Sequence, residues 1–315
     1  MKEYGMKRIL LLTFGLVMFS SLFVACEFEK EPTYMVQVSA TEGGTIEGQN
    51  GKYKESEWVE FRAVPEKGYF FAQWSDGKND NPRKFLIYED VTIIAQFKEI
   101  TTVDLGLKSG TLWATCNIGA ANPWDRGHFY AWGETETKKS WDRYSNWDTY
   151  KYVSYSMTSS MTLTKYNDSD ALIVLEQIDD AATTVYGSNY LTPTVTDWAE
   201  LCSQCYWVWN SNYNNQNVCG YVVFMAKSDG DKGAIVHKYD TPSNSYSLTD
   251  THIFLPVAGE NGGYKVGEIG MYWSSSRSED NLSEAYCCFF YDYNLFPKHQ
   301  GLRDEGGSIR AIRRK

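Results

Sequence analysis

The chain has 315 residues, 43% of them hydrophobic and 16% aromatic, and 30 Lys and Arg against 40 Asp and Glu give a formal net charge of -10. That length is enough for more than one core, so two domains are expected. The negative balance repels phosphate backbones and anionic headgroups, which argues against nucleic acid as a partner. The 23 Tyr and 11 Trp exceed what packing alone needs and point to recognition surfaces as well as cores.

Residues 1–25 read as a signal peptide: Lys2, Lys7 and Arg8 precede an apolar run from Ile9 to Ala25 that is slightly short for a ~20-residue membrane span. The run ends in Phe23-Val24-Ala25-Cys26, which resembles the bacterial lipobox. That resemblance implies diacylation of Cys26, and more than one acyl chain would hold the protein to a membrane. Residues 26–33, acidic and polar after Cys26, read as a tether. The expectation is an outer-membrane lipoprotein exposed at the surface. Six cysteines remain, Cys116, Cys202, Cys205, Cys219, Cys287 and Cys288. An oxidising compartment permits disulfides among them, and none of the roughly 15 full pairings is singled out.

Residues 34–98 are written in short alternating runs. Val36, Val38 and Ala40 share a face, as do Val59, Phe61 and Ala63, and again Val91, Ile93, Ala95 and Phe97. Gly43-Gly44, Pro65, Gly68 and Ser75-Asp76-Gly77 supply the turns, so the segment is expected to be a small all-β domain with Trp74 plugging its core. Gly43-Gly44-Thr45, Ala63-Val64-Pro65, Gly68-Tyr69, Trp74-Ser75-Asp76-Gly77 and the run Val91 to Phe97 resemble the bacterial repeat related to the internalin B-repeat. The resemblance implies a β-grasp-like unit used as a spacer or stalk in surface proteins.

Residues 101–315 are expected to be α+β and dominated by strands. Apolar strands are read in Thr111–Asn117, Gly127–Glu134, Tyr221–Ala226, Ile253–Gly259, Met271–Ser276, Ala285–Asp292 and Ser308–Arg313, and long surface loops from Thr135 to Asp168. Two short helices interrupt them. Asp179 or Asp180 caps one that Gly187 ends, and Thr194 to Asp197 has the form of a capping box for the other, which buries Trp198, Leu201, Cys202 and Cys205. Several segments, among them Val103 to Leu107, Trp113 to Ala120, Ala131 to Glu134, Phe254 to Gly259, Tyr272 to Ser276 and Ser308 to Ile312, resemble in their order the Fibrobacter major paralogous domain. This resemblance implies a C-type-lectin-like fold, shared with formylglycine-generating enzymes and with retroelement-diversified variable proteins. Tyr190-Leu191-Thr192 departs from the Trp-Arg-Leu or Trp-Arg-Met sequence usual in that family, which removes an expected buried Arg.

The chemistry implied by these relatives is not matched residue by residue. The formylglycine-generating enzymes hold copper with two spaced cysteines, whereas Cys287 and Cys288 are adjacent, and neighbours on a strand face opposite ways. Cys202 and Cys205 form a CxxC without a second ligand pair, and His128, His237, His252 and His299 lie in unrelated contexts. No catalytic residue, metal site or cofactor is therefore assigned. In the retroelement-diversified branch the stretch matching Arg277 to Gly307 is the displayed surface. Its Tyr291, Tyr293, Phe296, Lys298, His299, Arg303, Asp304 and Glu305 mix aromatic and charged groups without periodicity, as a recognition patch does. The leading expectation is a surface-anchored protein that binds a protein or glycan ligand. An envelope enzyme on the same fold, or a structural subunit of a surface complex, stands as the alternative.

Overall fold

A computed structural model describes residues 31–66, 68–138, 140–157, 160–243 and 245–315. The signal peptide expected at 1–25 and the lipidation site at Cys26 lie outside the described residues. Strands far outweigh helices, and they are gathered in several small sheets.

The first seven strands are β1 (Thr33–Ala40), β2 (Gly44–Glu47), β3 (Gly51–Lys54), β4 (Trp58–Pro65), β5 (Tyr69–Trp74), β6 (Arg83–Leu86) and β7 (Val91–Glu99). They form a four-stranded sheet in the order β3-β1-β7-β5 and a three-stranded sheet in the order β2-β4-β6. The alternation read in the sequence decides which side chains meet: Val36, Val38, Val59, Phe61, Ile93, Ala95 and Phe97 all enter one core. Trp74 is fully buried in it, and its indole N–H donates to the Asp80 carbonyl at 2.8 Å. The nearby turn is held by Arg83, whose guanidinium makes two 2.7 Å bonds to the Asp76 carboxylate.

The rest of the chain contributes β8 (Thr102–Asp104), β9 (Leu112–Ala114), β10 (Val153–Tyr155), β11 (Met161–Leu163), α1 (Ala181–Tyr186), β12 (Tyr190–Leu191), α2 (Val195–Gln204), β13 (Cys205–Asn210), β14 (Gly220–Met225), β15 (Ile235–Val236), β16 (His252–Pro256), β17 (Gly270–Arg277), β18 (Glu284–Tyr291), β19 (Asn294–Leu302) and β20 (Ile312–Arg313). The sheets run β12-β20-β9-β8, β15-β13-β14-β16 and β17-β18-β19, with β10-β11 as a separate hairpin. Asp180 caps α1 by accepting from Ala182 N, and Gly187 ends it at φ 92°, a left-handed value that a glycine adopts without strain. The carboxylate of Asp180 also takes Thr192 N at 2.8 Å and Thr192 Oγ1 at 2.6 Å. The capping box of α2 is complete: Thr194 Oγ1 accepts from Asp197 N, and Asp197 Oδ2 accepts from Thr194 N.

All eight residues of β17 are buried, because its two faces feed different cores. Met271 and Trp273, with Ala285 and Cys287 of β18, belong to one apolar cluster, and Tyr272, Cys288 and Phe290 belong to another. The serines that follow Trp273 satisfy backbone groups where the ladder shifts register: Ser274 Oγ donates to the Tyr286 carbonyl, and Ser276 Oγ accepts from Val195 N.

Two sequence expectations are corrected. The apolar segment 127–134 is not a strand; it forms a single bridge, Tyr130 with Gly307, because its backbone groups pair with scattered partners such as the Arg303 carbonyl, which Trp132 N reaches at 2.9 Å. The stretch from Thr135 to Asp168 is not simply surface loop. Tyr150, Tyr152 and Tyr166 are buried from it, and β10-β11 lies within it.

The two modules are joined by only Ile100 and Thr101 between β7 and β8. Phe70 of β5 is 3% exposed, and it is not in the first module's core. Its ring packs 5.5 Å from that of Tyr186 in α1, within the cluster that holds Ile100, Trp132 and Trp273. Lys98 Nζ, which donates to the Ala121 carbonyl at 3.0 Å, crosses the same boundary.

Candidate functional site

The β18-β19 hairpin turns through Asp292 and Tyr293, with Tyr291 opposite Asn294, Phe289 opposite Phe296 and Cys287 opposite His299. This register brings four of the eight expected rim residues together. The Tyr291 and Tyr293 rings meet edge to face at 4.4 Å, Tyr291 and Phe296 lie 6.2 Å apart, and His299 stands 4.7 Å from Phe289 and 6.0 Å from Phe296. Tyr293, Phe296 and His299 are exposed, Tyr293 by 64%. Aromatic packing partly removes the His299 imidazole from water and holds its pKa below the ordinary value, against the opposing pull of Glu284.

The other four residues have different positions. Lys298 is exposed, but its ammonium lies over the Tyr286 ring at 4.6 Å, on the side of the strand away from His299. Arg303 and Asp304 are corrected as binding candidates, since both are buried in the protein. Arg303 is caged by Trp132, Tyr150 and Tyr166 at 4.8, 5.4 and 5.8 Å, and it donates to Tyr150 Oη and to the carbonyls of Lys165, Tyr166 and Leu282. A guanidinium so fully engaged is structural. Asp304 accepts Asn146 N at 2.6 Å, and burial raises its pKa. Glu305 is half-buried in a 260 Å³ cavity lined also by Glu260, Glu284 and His299. Burial, then repulsion from Glu260 and Asp304, pushes its carboxyl up to about 7.

A larger cleft of about 580 Å³ opens beside the hairpin turn. Its walls include Tyr291, Asp292 and Tyr293 and also Trp209 of β13, Lys238, Lys265 and Glu268, residues the sequence offered no reason to group. The turn is held on two sides: Lys238 N donates to the Asp292 carbonyl at 2.9 Å, and Lys238 Nζ reaches Asp292 Oδ2 at 3.0 Å. Trp209 is set edge to face on Tyr221 at 5.2 Å, and Tyr221 Oη shares a 2.7 Å hydrogen bond with His237 Nδ1. The only sequence signal for Trp209 was its period-2 spacing from Trp207.

The thiols are placed as strand alternation requires. Cys287 faces one core and Cys288 the other, where it meets Cys202, and burial raises both strand thiols well above the usual range. Cys205 is also buried, its thiol pushed up to about 12. Among the described residues no group of three or more His, Cys, Asp or Glu is arranged to hold a metal ion. The arrangement at the hairpin offers aromatic faces and charged hydrogen-bonding groups, which suit contact recognition.

No curated protein and no solved structure gives a significant match to the chain. Residues 34–101 match the family model of the divergent InlB B-repeat domain, so the first module is a repeat of that kind, followed by a second, strand-dominated module.

Proposed function

We propose that this chain is a surface lipoprotein, anchored through Cys26, whose residues 101–315 form a C-type-lectin-like domain that binds a protein or glycan ligand at the β18-β19 hairpin. The observation that carries the reading is the aromatic group of half-buried Tyr291 with exposed Tyr293, Phe296 and His299 on a turn clamped by Lys238. Exposed aromatics cost solubility unless they serve contact, and a rigid turn loses little entropy when a ligand arrives. The β-grasp-like description of residues 34–98 and the outer-membrane location belong to the same proposal, supported by the B-repeat match and by the lipobox-like Phe23 to Cys26.

The test is a binding screen of the soluble chain from Glu27 onward against glycans and envelope or host proteins. Combined replacement of Tyr291, Phe296 and His299 by Ala should weaken the binding found by about tenfold or more, as loss of central aromatic contacts does, with the melting temperature unchanged. Undiminished affinity in that variant removes the hairpin from the site.

A further inference from the structure

We propose that the ligand is an uncharged carbohydrate seated in the cleft between Trp209 and the Asp292-Tyr293 turn. This rests on the binding role given above and narrows its ligand class. The cleft, at about 580 Å³, has the volume of a small-ligand site rather than the broad flat area of a protein interface.

Its walls are of two kinds. Trp209, Tyr291 and Tyr293 supply aromatic surface, and such rings accept the apolar C–H face of a sugar while their polar ends stay wet. Lys238, Lys265, Asp292 and Glu268 supply two cations and two anions, so the formal charge of the lining cancels. A charged ligand gains no net attraction from such a wall. Hydroxyl groups, each able to donate and to accept, match alternating ammonium and carboxylate groups without desolvating a net charge.

The site is also built in advance. Asp292 is pinned through its carbonyl and its carboxylate by Lys238, and the Trp209 ring is set by Tyr221, itself hydrogen-bonded to His237. Weak ligands such as sugars bind only where little ordering remains to be done. Among the described residues the buried indole N–H of Trp209 has no hydrogen-bond partner.

The experiment is calorimetric titration of the soluble chain from Glu27 onward with neutral α-1,4-, α-1,6- and β-1,4-linked hexasaccharides, alongside an oligogalacturonate of matching length. The expected result is binding of a neutral oligosaccharide whose affinity changes less than about twofold between roughly 50 and 500 mM salt, since no net charge is screened. The same affinity should fall by about tenfold or more in Tyr293→Ala. Tyr293 is largely exposed, so that variant keeps its fold, which an unchanged melting curve verifies. Preference for the uronate with a steep salt dependence overturns the proposal, as does neutral-sugar binding indifferent to Tyr293→Ala. If no sugar binds while a protein ligand is lost in the Tyr291, Phe296 and His299 triple variant, the ligand class is wrong and the hairpin reading stands. If neither a sugar nor a protein binds, both fall.

Discussion

Glu305 keeps its carboxyl in a small cavity beside Glu260 and Glu284, and burial followed by the like charges of Glu260 and Asp304 raises its pKa from 4.5 to about 7. An acid raised on folding favours the fold in its neutral form. Its stabilising contribution is whole below about pH 4.5 and is lost as the pH climbs through 7. Stability should therefore fall between about pH 5 and pH 8 by on the order of 1–3 kcal/mol from this group, allowing for its partial exposure. Glu305→Gln should flatten that slope in urea titrations at the two pH values, leaving the smaller share due to Glu260 and Asp304, which are shifted the same way. Equal slopes in both proteins would refute the assignment. Arg303, Asp304 and Glu305 are consecutive, and read as residues they look like one polar patch. Their fates differ because the partners come from elsewhere: Tyr150 and Lys165 for Arg303, Asn146 for Asp304, Glu260 for Glu305. Nothing in the local sequence separates them.

At the scale of elements, α2 shows how much a short motif can specify. Thr194 and Asp197 close the capping box, and the same Asp197 receives two bonds from Arg314, at 2.6 and 2.8 Å, that tie the chain terminus to the helix start. Thr194→Ala should cost about 1 kcal/mol, the usual value of a helix cap. Asp197→Ala removes both roles and should cost roughly 2–3 kcal/mol, the ion pair being discounted because the Arg314 side chain is 45% exposed. Denaturant unfolding of the two variants measures the difference, and equal losses would mean that the terminal ion pair contributes nothing. The box was legible because its residues are three positions apart. The facing of Lys298 was not legible in the same way: alternation counted from the turn at Asp292-Tyr293 would set Lys298 opposite Cys287, on the Phe289 side. A register shift between Cys287 and Phe289 reverses this and puts His299 with Phe289 and Lys298 with Tyr286. The segment 127–134 misled as well, since an apolar run of that length fits a buried coil as well as a strand.

For the whole molecule, the contact of Phe70 with Tyr186 changes what the B-repeat does. A repeat whose resemblance implies a spacer or stalk is packed on the second module through a residue of its own sheet, across a link of two residues. Phe70→Ala removes a buried aromatic at that boundary and should cost about 3 kcal/mol. Scanning calorimetry should then separate one cooperative transition into two, and a single unshifted transition in the variant would show that the modules unfold independently of this contact. By itself the sequence determined the strand-rich composition, the turns, the two capped helices and the B-repeat motif, because each depends on residues within a few positions of one another. Only the tertiary structure decided which C-terminal charges are inside, that Trp209 and Lys238 border the hairpin, and that the repeat is docked. Burial is conferred by distant chain, as with Arg303 and Tyr150, 153 positions apart, and no local pattern encodes it.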